Sequence, residues 1–145
     1  MRSVTAGCAL LLLFTATVLA QSTRPPVKTG NIYVGSFGMG DDAEQLKLAL
    51  GYELARVGFK VVDFQQQAES TLSGMINTRV EGGRPVKRVT VFLTDRTGKK
   101  LWNQDIGSTS SSTRDDKEGI RQRAQDIAKV LKQDSSPPPK KTVKR

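Results

Sequence analysis

Histidine is absent from this sequence, and cysteine occurs once, at Cys8. Residues 21–145 contain neither, so no disulfide can form within that stretch. Zinc sites built on Cys or His are excluded there, as are Cys–His and Ser–His nucleophilic pairs. General acid–base chemistry near neutral pH loses its commonest agent. Only carboxylate or lysine chemistry stays formally open to an enzyme, and no motif for either is present. The expectation is a protein with no catalytic residue, no cofactor and no metal site. Aromatic residues are few, at 6%. They interleave poorly with the basic residues, which argues against nucleic acid as a partner.

Long apolar runs are also scarce. The one run, Ala9 to Ala20, is broken only by Thr15 and Thr17. Arg2 precedes it, and Val18-Leu19-Ala20 places small residues where a signal peptidase reads. Residues 1–20 therefore read as a secretory signal peptide cut before Gln21. As a helix those twelve residues reach ~18 Å, short of a bilayer core of ~30 Å. Ala6-Gly7-Cys8 has the small residues of a lipoprotein cleavage site. The apolar run follows that cysteine instead of preceding it, so lipidation is not expected. The expected location is the periplasm or the cell exterior, peripheral to the outer membrane.

The net charge is +9. Between Val27 and Asp134 seventeen basic residues meet all fourteen acidic ones, a balance of only +3. Much of the excess sits in residues 135–145, "SSPPPKKTVKR", which read as a disordered proline-rich basic tail. Residues 21–30, with Pro25-Pro26, read as an extended leader. One domain, 31–134, lies between them, enough for a single modest core.

Ile32 to Phe37 reads as a short apolar strand. Ala43, Leu46, Leu50, Leu54 and Val57 recur at spacings of three and four, the stripe of an amphipathic helix. Asp41 or Asp42 is the expected cap, and Gly58 lies where a C-terminal glycine belongs. "FKVVDF", 59–64, reads as a second strand, implying a right-handed parallel crossover. The period then changes to two. "TLSGMINTRVE", "VKRVTVFLT" and "KKLWNQDI" alternate and are joined by "EGGRP" and "DRTG", the pattern of an antiparallel meander. Ile120, Ala124, Ile127 and Leu131 mark a last helix, with Thr113, Asp115 and Asp116 suited to its start. The expected fold is α+β: a two-layer sandwich with a mixed five-stranded sheet, order β-α-β-β-β-β-α, and two helices on one face. Met75, Phe92 and Trp102 fall either on the opposite face or, with the pleats offset, in the core; the core placement is preferred.

Gly35, Gly38 and Gly40 follow the first strand in G-x-x-G-x-G spacing, not that of a dinucleotide site. Two carboxylates, Asp41 and Asp42, already stand at the helix start and would repel a phosphate. The glycines therefore read as a tight strand-to-helix turn. The acid pairs Asp41-Asp42 and Asp115-Asp116 both fall at helix starts, which accounts for them without catalysis. The meander is basic: Arg79, Arg84, Lys87, Arg88, Arg96, Lys99 and Lys100 lie against Glu81 and Asp95. Of these, Arg79, Lys87, Arg88, Lys99 and Lys100, with Lys140 and Lys141 of the tail, are the candidates for binding an anionic lipid surface or cell-wall polymer. A solvated face with lysines that discourage strand aggregation explains the same pattern.

Several stretches carry a family resemblance. They are "ELARVGFKVVD" with Gly58, Val61, Val62 and Asp63; "TLSGMI" with Leu72 and Gly74; and "VTVFLTDRTGKKLW" with Leu93, Asp95, Thr97, Gly98, Leu101 and Trp102. Together they resemble the α/β domain of the curli secretion-channel lipoproteins, the amino-terminal domain of TolB and several outer-membrane assembly lipoproteins. The resemblance covers about 31–131 and rests on structural motifs. It implies a non-catalytic envelope protein that assembles with other proteins. The connection 65–70 is short, and the channel's membrane-inserting hairpins are absent, so pore formation is not implied.

Overall fold

The computed structural model describes residues 26–107 and 116–137. The elements are β1 (Asn31–Val34), α1 (Asp41–Arg56), β2 (Lys60–Val62), a 3-10 turn (Gln65–Gln67), β3 (Ser70–Glu81), β4 (Arg84–Asp95), β5 (Lys100–Gly107) and α2 (Asp116–Ser135). The five strands form one sheet in the order β2-β1-β3-β4-β5. β1 runs parallel to β2 and β3, and β3, β4 and β5 form the antiparallel meander. The fold is the α+β arrangement that the periodicities imply.

The stripes explain the layering. Leu46, Leu50 and Leu54 of α1 and Ile120, Ala124, Ile127 and Leu131 of α2 join one buried cluster with Ile32, Leu72, Val89, Val91 and Leu93 of the sheet. Leu50 and Ile127 are both fully buried in it. Each fully buried Leu or Ile contributes about 1.5–3 kcal/mol relative to an exposed one, so these two stripes hold the helices to a single face. Among the described residues, no helix covers the other sheet face.

The helix start differs from the expected cap. Gly40, not an aspartate, occupies the N-cap position of α1, and no side chain caps it. Its carbonyl accepts from the N–H groups of Ala43 (3.1 Å) and Glu44 (3.3 Å). Asp41 and Asp42 lie one and two positions later, in the first turn, where their charge still favours the helix dipole. Gly38 and Gly40 have φ of 110° and 106°, as a tight strand-to-helix turn requires. The far end of α1 closes with a Schellman motif. Phe59 N–H bonds the Leu54 carbonyl (3.0 Å) and Gly58 N–H bonds that of Ala55 (3.1 Å), with Gly58 at φ 96°. Thr113 and Asp115, expected at the start of α2, lie outside the described residues, as do the segments 1–20 and 138–145.

The three aromatic and sulfur side chains placed in the core by preference divide. Met75 and Phe92 lie on the open face, Met75 being 50% exposed. Trp102 is core, 6% exposed, and pairs with Leu93. A bulge helps to set this: Leu93 faces Trp102 while Thr94 faces Lys100, which leaves Leu101 as the extra residue. Leu101 packs against the core beside Trp102, and Lys100 is turned to the open face. The Trp102 Nε1–H donates to Oδ2 of Asp134 (2.7 Å), tying β5 to the end of α2. Val27 adds a second tie, its N–H bonding the Asp134 carbonyl (3.1 Å).

Candidate functional site

The sheet is not uniform along its length. β3 and β4 pair over all twelve positions. β1 reaches β3 only from Ser70 to Leu72, and β5 reaches β4 only from Arg88 to Thr94. Residues 75–87 therefore project as a two-stranded arm with a Gly82-Gly83 tip.

The basic candidates do not make one patch. Arg79 and Lys87 belong to the arm and Arg88 to its base, opposite Gly107 of β5, whereas Lys99 and Lys100 sit at the β4–β5 turn, about six strand residues or ~20 Å from Arg88. The three residues at and beside the arm separate again, because successive strand side chains point to opposite faces. Lys87 turns to the helix side and its Nζ meets Asp42 Oδ2 at 2.6 Å. Arg88 turns to the open face and binds Glu81 through Nη2 (2.9 Å) and Nε (3.2 Å). Arg79 shares that open face and is exposed. Lys100 places its Nζ 5.6 Å from the centre of the Phe92 ring, a cation–π contact on the open face. Lys99 is exposed. Lys140 and Lys141 lie outside the described residues.

Beside the β4–β5 turn is an open polar cleft of about 430 Å³, lined by Gln65, Glu69, Thr71, Ser73, Asp95 and Arg96 among others. Arg96 is held by its own backbone bond, Nε to the Ala68 carbonyl at 2.7 Å. Asp95 organises the turn: its Oδ1 accepts from Thr97 Oγ1 (2.6 Å), Thr97 N (2.8 Å) and Lys99 N (3.0 Å). The Thr97 hydroxyl, the two N–H groups and the Lys99 charge hold its carboxyl below the usual 3.8. A depressed carboxylate stabilises the fold above its ordinary pKa, and this contribution is lost as pH falls through the lower folded value. The turn should therefore stay intact down to pH 3.8 and loosen below it. The Thr97 amide resonance followed against pH should show that step, and Asp95→Asn should abolish it. A Thr97 titration at or above 3.8 would contradict the geometry.

One charged residue was not foreseen from the pattern. Glu53 lies on the inner side of α1 and is 1% exposed. Its Oε2 accepts from Arg56 Nε (2.7 Å), and its Oε1 from Gln125 Nε2 of α2 (3.4 Å), with Arg121 Nε at 3.9 Å. It serves as a polar clasp between the helices. The available signal was its spacing, three residues after Leu50 and three before Arg56.

The outer side of α1 is a second surface of note. Gln45, Leu48, Tyr52 and Ala55 lie within ~40° of Asp41 to either side, an arc of ~80° around the helix, and all are exposed, Leu48 at 73% and Tyr52 at 66%. Among the described residues, no group of three or more acidic, Cys or His side chains is placed to hold a metal ion. Among the same residues, no helix is long and apolar enough to cross a membrane.

No protein-family model matches the chain, and no curated protein matches it in sequence. The fold does have a solved counterpart. A variant of PelC from Paraburkholderia phytofirmans, determined as a dodecamer, superposes with a TM-score of 0.56 at 20% identity, covering 74% of this chain and 88% of PelC. The chain therefore has a PelC-like fold.

Proposed function

We propose that this protein is exported to the bacterial envelope and acts without catalysis, by binding and assembling with other proteins, further copies of itself included. The observation that carries the reading is the likeness in fold to PelC, a protein determined as a dodecamer. Three further features support it. The amino-terminal apolar run has the form of an export signal. The chain after it contains no Cys or His. Two surfaces, the arm and the outer stripe of α1, expose large apolar side chains, Met75 and Val80 on the first and Leu48 and Tyr52 on the second. The finer placement, beside the curli secretion-channel and TolB amino-terminal domains, belongs to this proposal and rests on the residues around Gly58, Gly74 and Trp102. Binding to an anionic lipid or cell-wall polymer draws less support, because the basic candidates face different ways and Lys87 and Arg88 already have acidic partners.

The test is crosslinking in the intact envelope of a tagged chain expressed in its native cell. Species heavier than the monomer, containing the tagged chain, are expected. A chain recovered only as monomer across repeated crosslinkers would end the reading.

A further inference from the structure

Among the described residues, four strand edges have no neighbouring strand: β2, the outer side of β5 and the two sides of the arm. Free edges template pairing with other chains, and folded proteins blunt them with shortness, lysine, proline or bulges. β2 has three residues and begins with Lys60. β5 begins with Lys100 and carries the bulge at Leu101. The β4 side of the arm contains Pro85, which has no N–H to offer. The β3 side, Met75 to Glu81, has no proline, no lysine and no bulge, and it stays in unbroken register with β4.

The direction of its backbone groups follows from the neighbouring bonds. Gly74 N–H points away from β4, to the Ser36 carbonyl (3.0 Å), and the Leu72 carbonyl on that same side accepts from Gly35 (2.7 Å). Outward and inward residues alternate along a strand, so Ile76, Thr78 and Val80 turn their N–H and C=O outward. Among the described residues none of these three has a backbone partner on that side. Val80 is 74% exposed. A two-stranded ribbon is marginal in water without a third strand.

We infer that this edge pairs with the same edge of a second copy of the chain, antiparallel, about a two-fold axis at Thr78. The inference rests on the self-assembly part of the reading above and names its surface. A register centred on Thr78 engages residues 75–81 of both copies in full. It sets Ile76 opposite Val80 on each side of the axis, Thr78 opposite Thr78, Asn77 opposite Arg79 and Met75 opposite Glu81. Apolar meets β-branched apolar, and no like charges stand directly opposed. Centring on Arg79 instead would set two guanidinium groups face to face. The contact is isologous, and it joins two five-stranded sheets into one continuous layer.

The test is a cysteine at the axis. In a Cys8→Ser background, Thr78→Cys supplies the only thiol. Opposed Cα atoms ~5.5 Å apart lie within disulfide range. Mild oxidation of the purified chain should give a covalent dimer, while Lys99→Cys, at the far end of the sheet, should stay monomeric. Val80→Lys and Thr78→Pro leave every β3–β4 hydrogen bond in place, because both residues turn their N–H outward. Val80→Lys should keep the wild-type circular dichroism and lose the dimer contact, read as a fall in mass by light scattering. Should Thr78→Pro unfold, Val80→Lys decides alone. A Thr78→Cys chain that stays monomeric overturns the inference. So does a Val80→Lys chain of wild-type mass. If envelope crosslinking still captures partners in that event, the assembly reading stands and only the arm is removed.

Discussion

Replacing Gly74 with alanine should cost about 3 kcal/mol of stability, the upper range for forcing atoms into a packed site. A Cβ at Gly74 would stand 2.3 Å from the Thr90 carbonyl oxygen of β4 and 2.9 Å from the Phe37 ring. The first contact is with backbone, which cannot turn aside as a side chain can. The second is with a side chain that is itself buried, Phe37 being 1% exposed. Relief requires β3 and β4 to part at the position where Gly74 faces Val91, in the middle of the core. For a domain of about a hundred residues, 3 kcal/mol corresponds to a fall in Tm of at least ~12 °C. Gly51→Ala is the matching control. Gly51 lies inside α1 with nothing within 4 Å of its added Cβ, so alanine there should stabilise by up to ~1 kcal/mol. Thermal melts of the two variants should move in opposite directions. A Gly74→Ala chain that melts with the wild type would mean that β3 and β4 do not approach as described.

Gly74 also shows what the sequence could and could not disclose. Its place in "TLSGMI" marked a strand with a glycine in the apolar phase, and the periodicities of two and 3.6 assigned the five strands and two helices in the right order, without the short 3-10 turn at Gln65–Gln67. The stripes of α1 and α2 were legible because a helix buries a whole face, so the spacing of Leu46, Leu50 and Leu54 repeats the geometry of the contact. What stayed hidden depended on partners. The cap passed to Gly40 because the turn before α1 needs positive φ there, which no aspartate adopts readily. Trp102 took the preferred core position, its register set from Leu93 on the neighbouring strand, but Met75 and Phe92 went to the open face, each one residue out of phase with the core positions Ile76 and Leu93. The division of the basic residues was readable in principle, since Lys87 and Arg88 are adjacent on a strand and cannot share a face. The arm was not readable. Its existence follows from β1 being four residues long while β3 has twelve, a mismatch between elements and not a property of either.

Trp102→Ala should be the other severe substitution, at about 3–5 kcal/mol. The indole is 6% exposed and fills the space between β5 and the helices, within the cluster that holds Leu93, Ile106 and Leu131. Its removal leaves a cavity that the β-sheet cannot close, because the bulge at Leu101 has already fixed the strand's path. It also strips Asp134 of the indole N–H. The two losses can be separated. Trp102→Phe keeps most of the packing and gives up the hydrogen bond. Asp134→Asn keeps a side-chain acceptor and removes only the charge. A net contribution of ~1.5–3 kcal/mol is the general scale for a hydrogen bond to a charged group. Asp134 is exposed, so Asp134→Asn should fall at or below the foot of that range, with Trp102→Phe between it and Trp102→Ala. Urea unfolding followed by far-ultraviolet circular dichroism gives all three on one scale, since loss of Trp102 removes the only tryptophan fluorophore. A Trp102→Ala cost below about 0.5 kcal/mol, the level of an ordinary surface change, would place the indole outside the core and undo the register of β5 on which the open face and the position of Lys100 both depend.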